Sequence, residues 1–302
     1  MEKESLLESI KRQKVSYLFI ALPFILFFIF QLAPVFISFF LSFTKYNIVH
    51  PPTFVGLDNY KNILFHDPLF WKAIKNTLIY TIGVVPVGVC LSLMLAIAID
   101  QKIKCKNFFK SIFFLPTVTA IVAVSVIWKW LYAGEKYGLI NFFIMKLGFQ
   151  PVDWLASPTW ILPSIMIMSI WAGVGYNMIL FLAGLQTIPS SMYEAAEIDG
   201  AGFWTKLFHI TLPLLKPTIV FVAMVSFIFS FQVFDQVYIM TSGQGGVGGV
   251  LNSGLTIVAY LYDKGFEKFQ MGYASALAYI IFFFIFLLTM INKKIMKTDI
   301  EY

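Results

Sequence analysis

Ser191-Met192-Tyr193-Glu194-Ala195-Ala196-Glu197-Ile198-Asp199-Gly200-Ala201, continuing through Phe203 and Phe208-His209-Ile210-Thr211-Leu212-Pro213 to Pro217, lies between two apolar runs that are each long enough to cross a bilayer. The passage carries helix signals of its own. Ser191 and Glu194 have the S-x-x-E spacing of a capping box, so a helix is expected to start near Ser191. Asp199-Gly200 supplies a residue that can take positive φ and end that helix. Phe203, Leu207 and Phe208, at i, i+4 and i+5, then predict a second short helix with an apolar ridge, bounded by Pro213 and Pro217. The expectation is an ordered, bent helix pair whose ridge a partner could bury.

The rest of the chain places this loop at a membrane. Of 302 residues, 59% are hydrophobic and only 13% are charged, and the mean hydropathy is +0.80. Ordinary soluble domains carry about 25% charged residues, so the composition argues against a soluble protein. Six apolar runs, 15–43, 73–99, 108–131, 159–184, 213–240 and 270–291, reach the roughly 20 residues a spanning helix needs. The expected fold class is therefore an all-α integral membrane protein with six transmembrane helices. Pro34, Pro86, Pro116, Pro163 and Gly173 interrupt the runs, which lipid tolerates where neighbouring helices or a polar cavity take up the freed backbone groups. Run 15–43 is too long for a signal-peptide core and is read as a retained helix.

The net charge of +6 does not point to nucleic acid, because the basic residues flank the apolar runs in short groups. They read instead as topology. With the N-terminus inside, thirteen lysines and arginines fall on inner segments: Lys3, Lys11, Arg12, Lys14, Lys102, Lys104, Lys106, Lys110, Lys206, Lys216, Lys293, Lys294 and Lys297. Eight fall outside, at Lys45, Lys61, Lys72, Lys75, Lys136, Lys146, Lys264 and Lys268. Both termini and the Glu194 loop are thus expected in the cytoplasm, with the chain multi-pass in the cell (inner) membrane. Lys129, between Trp128 and Trp130, reads as an interfacial anchor. Cys90 in an apolar run and Cys105 in a lysine-rich loop are not expected to pair. Ile140, Phe143, Ile144 and Leu147 predict a short amphipathic helix.

Catalytic signals are lacking. His50, His66 and His209 sit in separate loops without metal-ligand spacing, and neither G-x-S-x-G nor H-E-x-x-H occurs. The glycines from Gly243 to Gly249 follow no strand and give no nucleotide signal, and there is no G-x-x-x-x-G-K-[ST], so this chain is not expected to bind ATP through a P-loop. Few ionisable groups enter the apolar runs. Asp235 is the main exception, either a cavity-facing acceptor or a residue near the outer interface. A neutral, hydroxyl-rich solute needs aromatic faces and uncharged hydrogen-bonding groups. Gly173, Tyr176 and Asn177 offer these in the fourth run, and Ser226, Phe229, Ser230 and Val233 share one face of the fifth at i, i+3, i+4 and i+7. Ordinary helix packing uses the same residue types.

The order E-A-A-x-x-D-G-A followed by I-x-L-P-x-x-x-P resembles the signature loop of membrane subunits of binding-protein-dependent ABC importers, among them the carbohydrate permeases of the maltose and glycerol-phosphate type. The resemblance implies the type I importer permease fold, N-in and C-in. Residues 73–291 would form the transport core with a coupling loop at 185–212; 1–72 would hold the N-terminus, first helix and first external loop, and 292–302 a cytoplasmic tail. It further implies that Glu194, Ala195, Ala196, Asp199, Gly200, Ala201, Phe203 and Leu207 dock into an ATPase subunit. The implied partners are a second related permease, two ATPase subunits carrying ATP and Mg, and an external solute-binding protein. The implied substrate is a sugar, di- or oligosaccharide in size. In the maltose-type permease the positions matching Gly173, Tyr176, Ser226, Phe229, Ser230 and Val233 contact the sugar, with asparagines where Ser230 and Val233 stand here. Phe54-Val55-Gly56-Leu57-Asp58-Asn59-Tyr60 resembles an external motif of the first permease of such pairs, and reads equally as a turn. The alternative is a channel or secondary carrier without ATPases, for which buried charges or inverted repeats are expected. A membrane enzyme would need a polar cluster on one membrane face.

Overall fold

The computed structural model describes residues 14–101, 104–134, 137–243 and 245–295, with side chains to 290. Lys3, Lys11, Arg12, Lys102, Lys136 and Lys297, and the side chains of Lys293 and Lys294, on which part of the charge asymmetry rests, lie outside them, as does the tail from 296. The chain divides into two compact units, residues 1–66 with 264–280 and residues 67–263 with 281–302.

In the first unit, helix α1 (Lys14–Ser42) turns its apolar side chains outward, and none of its most apolar stretch is buried. Lipid accepts such a surface. The helix widens into a π turn at Phe28–Leu32, closed by Ala33 N–H on the Phe28 carbonyl, just before Pro34. A proline has no N–H and crowds the preceding turn, and the wider turn accommodates it. Two short strands follow, β1 (Thr44–Lys45) and β2 (Thr53–Phe54), paired antiparallel, then α2 (Asp58–Lys61). Asn59 Nδ2 donates to the carbonyls of Ser42 and Thr44, both at 2.9 Å, and Tyr60 OH donates to Ser42 Oγ at 2.7 Å. With Gly56 at φ +58°, the Phe54-to-Tyr60 segment is a turn that fastens the end of α1.

The second unit is built on three long helices, α3 (Pro68–Asp100), α7 (Ile161–Leu185) and α9 (Phe203–Phe231). Asp67 starts α3 by accepting from the Leu69 and Phe70 amides at 3.0 and 3.3 Å, with Pro68 in first position. The helices meet around Val89, Ile99, Met178, Phe181, Leu215 and Val222. Small residues set their separation: Ser92 Oγ reaches the Val174 carbonyl at 3.0 Å, and a Cβ on Gly184 would lie 2.5 Å from Thr218 Oγ1.

Two apolar runs do not form single straight helices. Run 108–131 breaks into α4 (Lys106–Val118) and α5 (Ile121–Leu131), bent by 95°. Thr119 Oγ1 donates to the Leu115 carbonyl at 3.0 Å, one turn after Pro116 has already removed an amide, so a side chain takes the bond that would continue the helix. Run 213–240 also breaks. Its helix, α9, ends at Phe231, and after Gln232–Phe234 the short α10 (Asp235–Thr241) begins. Conversely, the boundary expected at Pro213 is absent. A π turn at Leu207–Thr211, closed by Leu212 N–H on the Leu207 carbonyl, precedes Pro213 and carries α9 through, with Pro217 inside it. Lys129, at the end of α5, is not a free anchor: its amine donates to the Ser242 carbonyl (2.6 Å), Ser242 Oγ (3.0 Å) and the Ile239 carbonyl (3.3 Å), capping the C-terminus of α10. The predicted amphipathic helix forms as α6 (Leu139–Lys146), and α11 (Ile257–Tyr262) completes the unit. The final helix, α12 (Met271–Ile295), runs from the first unit into the second. Among the described residues, five helices are long and apolar enough to span a membrane, or up to six with α4 and α5 taken as one broken span.

A Cβ on Gly175 would lie 2.0 Å from the Phe113 carbonyl oxygen of α4, whereas one on Gly173 meets nothing within 4 Å. Gly175→Ala is therefore expected to destabilise the protein by about 1–3 kcal/mol and Gly173→Ala to be near neutral, read as thermal unfolding in detergent. An unchanged transition for Gly175→Ala would contradict the α4–α7 approach.

Candidate functional site: an exposed elbow and an uncharged cavity

The Glu194 loop is a bent helix pair. Its first arm, α8, runs Ser190–Ile198. The capping box is not formed: Pro189 stands at the boundary in an extended conformation, and Ser191 already lies inside the first turn. The other end follows the residue order closely. Ala201 N–H bonds to the Ala196 carbonyl at 2.8 Å and Gly200 N–H to the Glu197 carbonyl at 3.0 Å, with Gly200 at φ +80°. These two bonds are a Schellman motif, which needs glycine at its left-handed position. In E-A-A-x-x-D-G-A, the last alanine of the first group and the one after glycine are the two ends of its longer bond.

The second arm is the beginning of α9. Lys206 Nζ pairs with Glu197 Oε1 at 2.8 Å, and Tyr193 OH lies 3.0 Å from Thr211 Oγ1, so each arm is tied to the other. The outward surface is apolar and aromatic, with Ile198 88%, Trp204 67% and Phe208 57% exposed. Trp204 and Phe208 stack at 6.1 Å. Trp204 was not part of the expected ridge, and Leu207 is half-buried. Leu207 and Phe203, one helical turn apart, instead line a cavity of ≈ 280 Å³ together with Asp100 and Leu185. Glu194, Ala195, Asp199 and Gly200 are exposed, while Ala196 and Ala201 are half-buried beside the closing bond.

A second cavity, of ≈ 170 Å³, lies farther along the same helices. It brings together Gly173, Tyr176, Asn177, Ser226, Phe229 and Ser230. Val233 is not among its lining residues: α9 has ended by then, and Val233 is buried at the bend, its carbonyl accepting from Thr256 Oγ1 at 3.0 Å. Asp235 is exposed in the first turn of α10 and is likewise absent from the lining. Asn177 Nδ2 donates to Ser226 Oγ at 3.1 Å. Tyr80, Ser169 and Gln236 form another polar group, in which the Gln236 amide lies 3.4 Å from both Tyr80 OH and Ser169 Oγ. Eight residues of α7 separate Ser169 from Asn177, about 12 Å along the axis, with Gly173 between them on the same face. Periodicity could have revealed these residues, since Ser169, Gly173, Tyr176 and Asn177 fall at i, i+4, i+7 and i+8, and Tyr80, Val84 and Gly88 at i, i+4 and i+8. Among the described residues no charged side chain lines the cavity, and Phe229 is 64% exposed. Hydroxyls, amides and aromatic faces suit a neutral polar solute and offer an ion no opposite charge to pair with. No metal-binding cluster is found among the described residues.

A family model described as "Binding-protein-dependent transport system inner membrane component" matches residues 88–297. The "Probable ABC transporter permease protein YesP" of Bacillus subtilis (strain 168) is 35% identical, over 97% of this chain and 94% of the relative. The "Arabinooligosaccharides transport system permease protein AraP" of the same organism is 36% identical, over 94% and 89%. The "Lactose transport system permease protein LacF" of Rhizobium radiobacter is 37% identical, over 72% and 73%. In fold, the chain is similar to one from the crystal structure of a bacterial ABC transporter involved in the import of the acidic polysaccharide alginate, with a TM-score of 0.84, 23% identity, and 98% and 99% of the two chains covered.

Gly200→Ala should strain the turn by about 1–2 kcal/mol, the cost of a left-handed conformation for a residue with a Cβ. Hydrogen exchange at the α8 amides is expected to quicken by roughly five- to thirty-fold while that of α7 stays unchanged. Equal exchange in both proteins would contradict the glycine-dependent closure.

Proposed function

The chain belongs to the family of binding-protein-dependent transport system inner membrane components, and from that premise we propose that it is the permease subunit of an ATP-driven importer that carries a neutral di- or oligosaccharide into the cell. The observation that carries this reading is the joining of two features by one helix. The elbow begins α9, and Ser226, Phe229 and Ser230 of the uncharged cavity lie near the other end of that helix.

In the proposed mechanism an ATPase subunit, carrying ATP and Mg, grips Ile198, Phe203, Trp204 and Phe208, and Glu194 meets a basic group of that subunit. Closure of two such subunits displaces the elbow. Because Tyr193–Thr211 and Glu197–Lys206 tie its arms together, displacement passes into α9 and changes access to the cavity. A second, related permease supplies the other wall of the pathway, and an external solute-binding protein delivers the sugar. A ring stacked on Tyr176 or Phe229 would present hydroxyls to Asn177 and Ser226 at one end and to Gln236, Tyr80 and Ser169 at the other. The sugar class is supported by the relatives for arabino-oligosaccharides and lactose, and the delivery partner by a related fold whose crystal structure is in complex with an alginate pentasaccharide-bound periplasmic protein.

In the reconstituted transporter, Gly200→Val is expected to abolish ATP-driven uptake while the permease still copurifies with its ATPase subunits; undiminished uptake would overturn the coupling role. Gly173→Leu, placed where the cavity is open, should lower uptake at least tenfold without altering thermal unfolding. Normal uptake would remove the cavity from the pathway.

A further inference from the structure

We propose that the end of α3 remote from the elbow seats the phosphate of an anionic phospholipid between Lys72 and Lys75. A cavity of ≈ 640 Å³ lies there, between the first turns of α3 and α7. The two lysines line it one turn apart, where like charges repel, and among the described residues no carboxylate lines it with them. Lys72 Nζ donates to the Leu251 carbonyl at 2.5 Å, one of the three bonds an ammonium can make. Lys75 is exposed and forms no hydrogen bond or ion pair among the described residues. The pair therefore offers an anion two ammonium groups with no carboxylate beside them among the described residues.

What lies beneath the lysines identifies the source of that anion. Ile79 and Ile82, four and seven residues past Lys75 on the same face of α3, are 44% and 70% exposed. Leu162 and Met166 of α7 line the same cavity. The 33 residues of α3 span about 50 Å, whereas the hydrocarbon core is about 30 Å thick, or about 20 residues. Counted from Asp100, the core ends near Tyr80. Lys75 then stands about 7 Å and Lys72 about 12 Å beyond it, within the headgroup layer. Two amines at phosphate depth above an exposed apolar stripe at acyl depth fit a phospholipid, headgroup and chain together. An acidic protein segment docking from water would leave the stripe unused. The seat itself does not depend on the transport reading, which supplies only the assignment to the outer leaflet.

Native mass spectrometry tests this on the full-length chain released from nanodiscs of phosphatidylcholine with graded phosphatidylglycerol. Wild type is expected to retain one phosphatidylglycerol that phosphatidylcholine does not replace. At about 1 kcal/mol per basic side chain near the surface, Lys72→Ala with Lys75→Ala should weaken retention roughly thirty-fold and either change alone roughly five-fold. Lys75→Arg should keep it. Should the double variant fail to fold, Lys75→Gln, at an exposed and unbonded position, gives the same reading. Equal retention by wild type and a folded lysine variant overturns the proposal. So does displacement of the lipid by millimolar inorganic phosphate, which would mark a free-anion site, or a lysine-dependent association seen only with an acidic solute-binding protein.

Discussion

Hydrocarbon offers a backbone no hydrogen-bond partner, so every amide or carbonyl freed by a proline or a bend has to be met inside the protein. This constraint accounts for most of the irregularities in the chain. Both α1 and α9 place a π turn immediately ahead of a proline, at Phe28–Leu32 before Pro34 and at Leu207–Thr211 before Pro213. In each, the residue preceding proline bonds five positions back, and the helix continues where a simple proline rule would end it. At the 95° break between α4 and α5 a threonine hydroxyl takes the carbonyl at Leu115. At the end of α10 the Lys129 amine covers carbonyls left by the last turn. A residue that could serve as a headgroup anchor serves the backbone instead.

The same economy of breaks makes α9 a single lever in the proposed mechanism. Had the chain broken at Pro213, the elbow could have moved without disturbing the cavity wall. Because the π turn preserves continuity, Phe203 in the elbow and Phe229 beside the cavity lie on one helix, separated by 26 positions or about 39 Å. The Schellman closure at Gly200 and the Tyr193–Thr211 contact hold α8 against the base of that lever. Small residues then let the lever run close to its neighbours, with Gly184 of α7 against Thr218 of α9.

Much of this was legible in the sequence, for identifiable reasons. Apolar run length locates spanning helices because bilayer thickness is fixed, and Gly200 marks its turn because only glycine takes that φ cheaply. Six of the seven residues picked for the pathway line one cavity because a 3.6-residue period fixes their face. The failures have one common origin, since local patterns do not state where a freed backbone group will find its partner. The period that puts Val233 on the face of Ser226, Phe229 and Ser230 runs past Phe231, where the helix stops. The spacing of Ser191 to Glu194 suits a cap, but Pro189 takes the boundary position and the helix begins at Ser190. Tyr80 and Gln236 lie on α3 and α10, and no local pattern links those helices to the faces of α7 and α9 that they meet across the cavity.

The central claim is that the elbow faces the cytoplasm and is the part of this chain that an ATP-hydrolysing subunit holds. A photo-crosslinking amino acid at Ile198, the most exposed apolar position of the elbow, tests it directly in membranes containing the assembled transporter. The account predicts a crosslink to the ATPase subunit whose yield changes when ATP is trapped. Crosslinks to lipid alone, or to a solute-binding protein on the opposite side of the membrane, would contradict it.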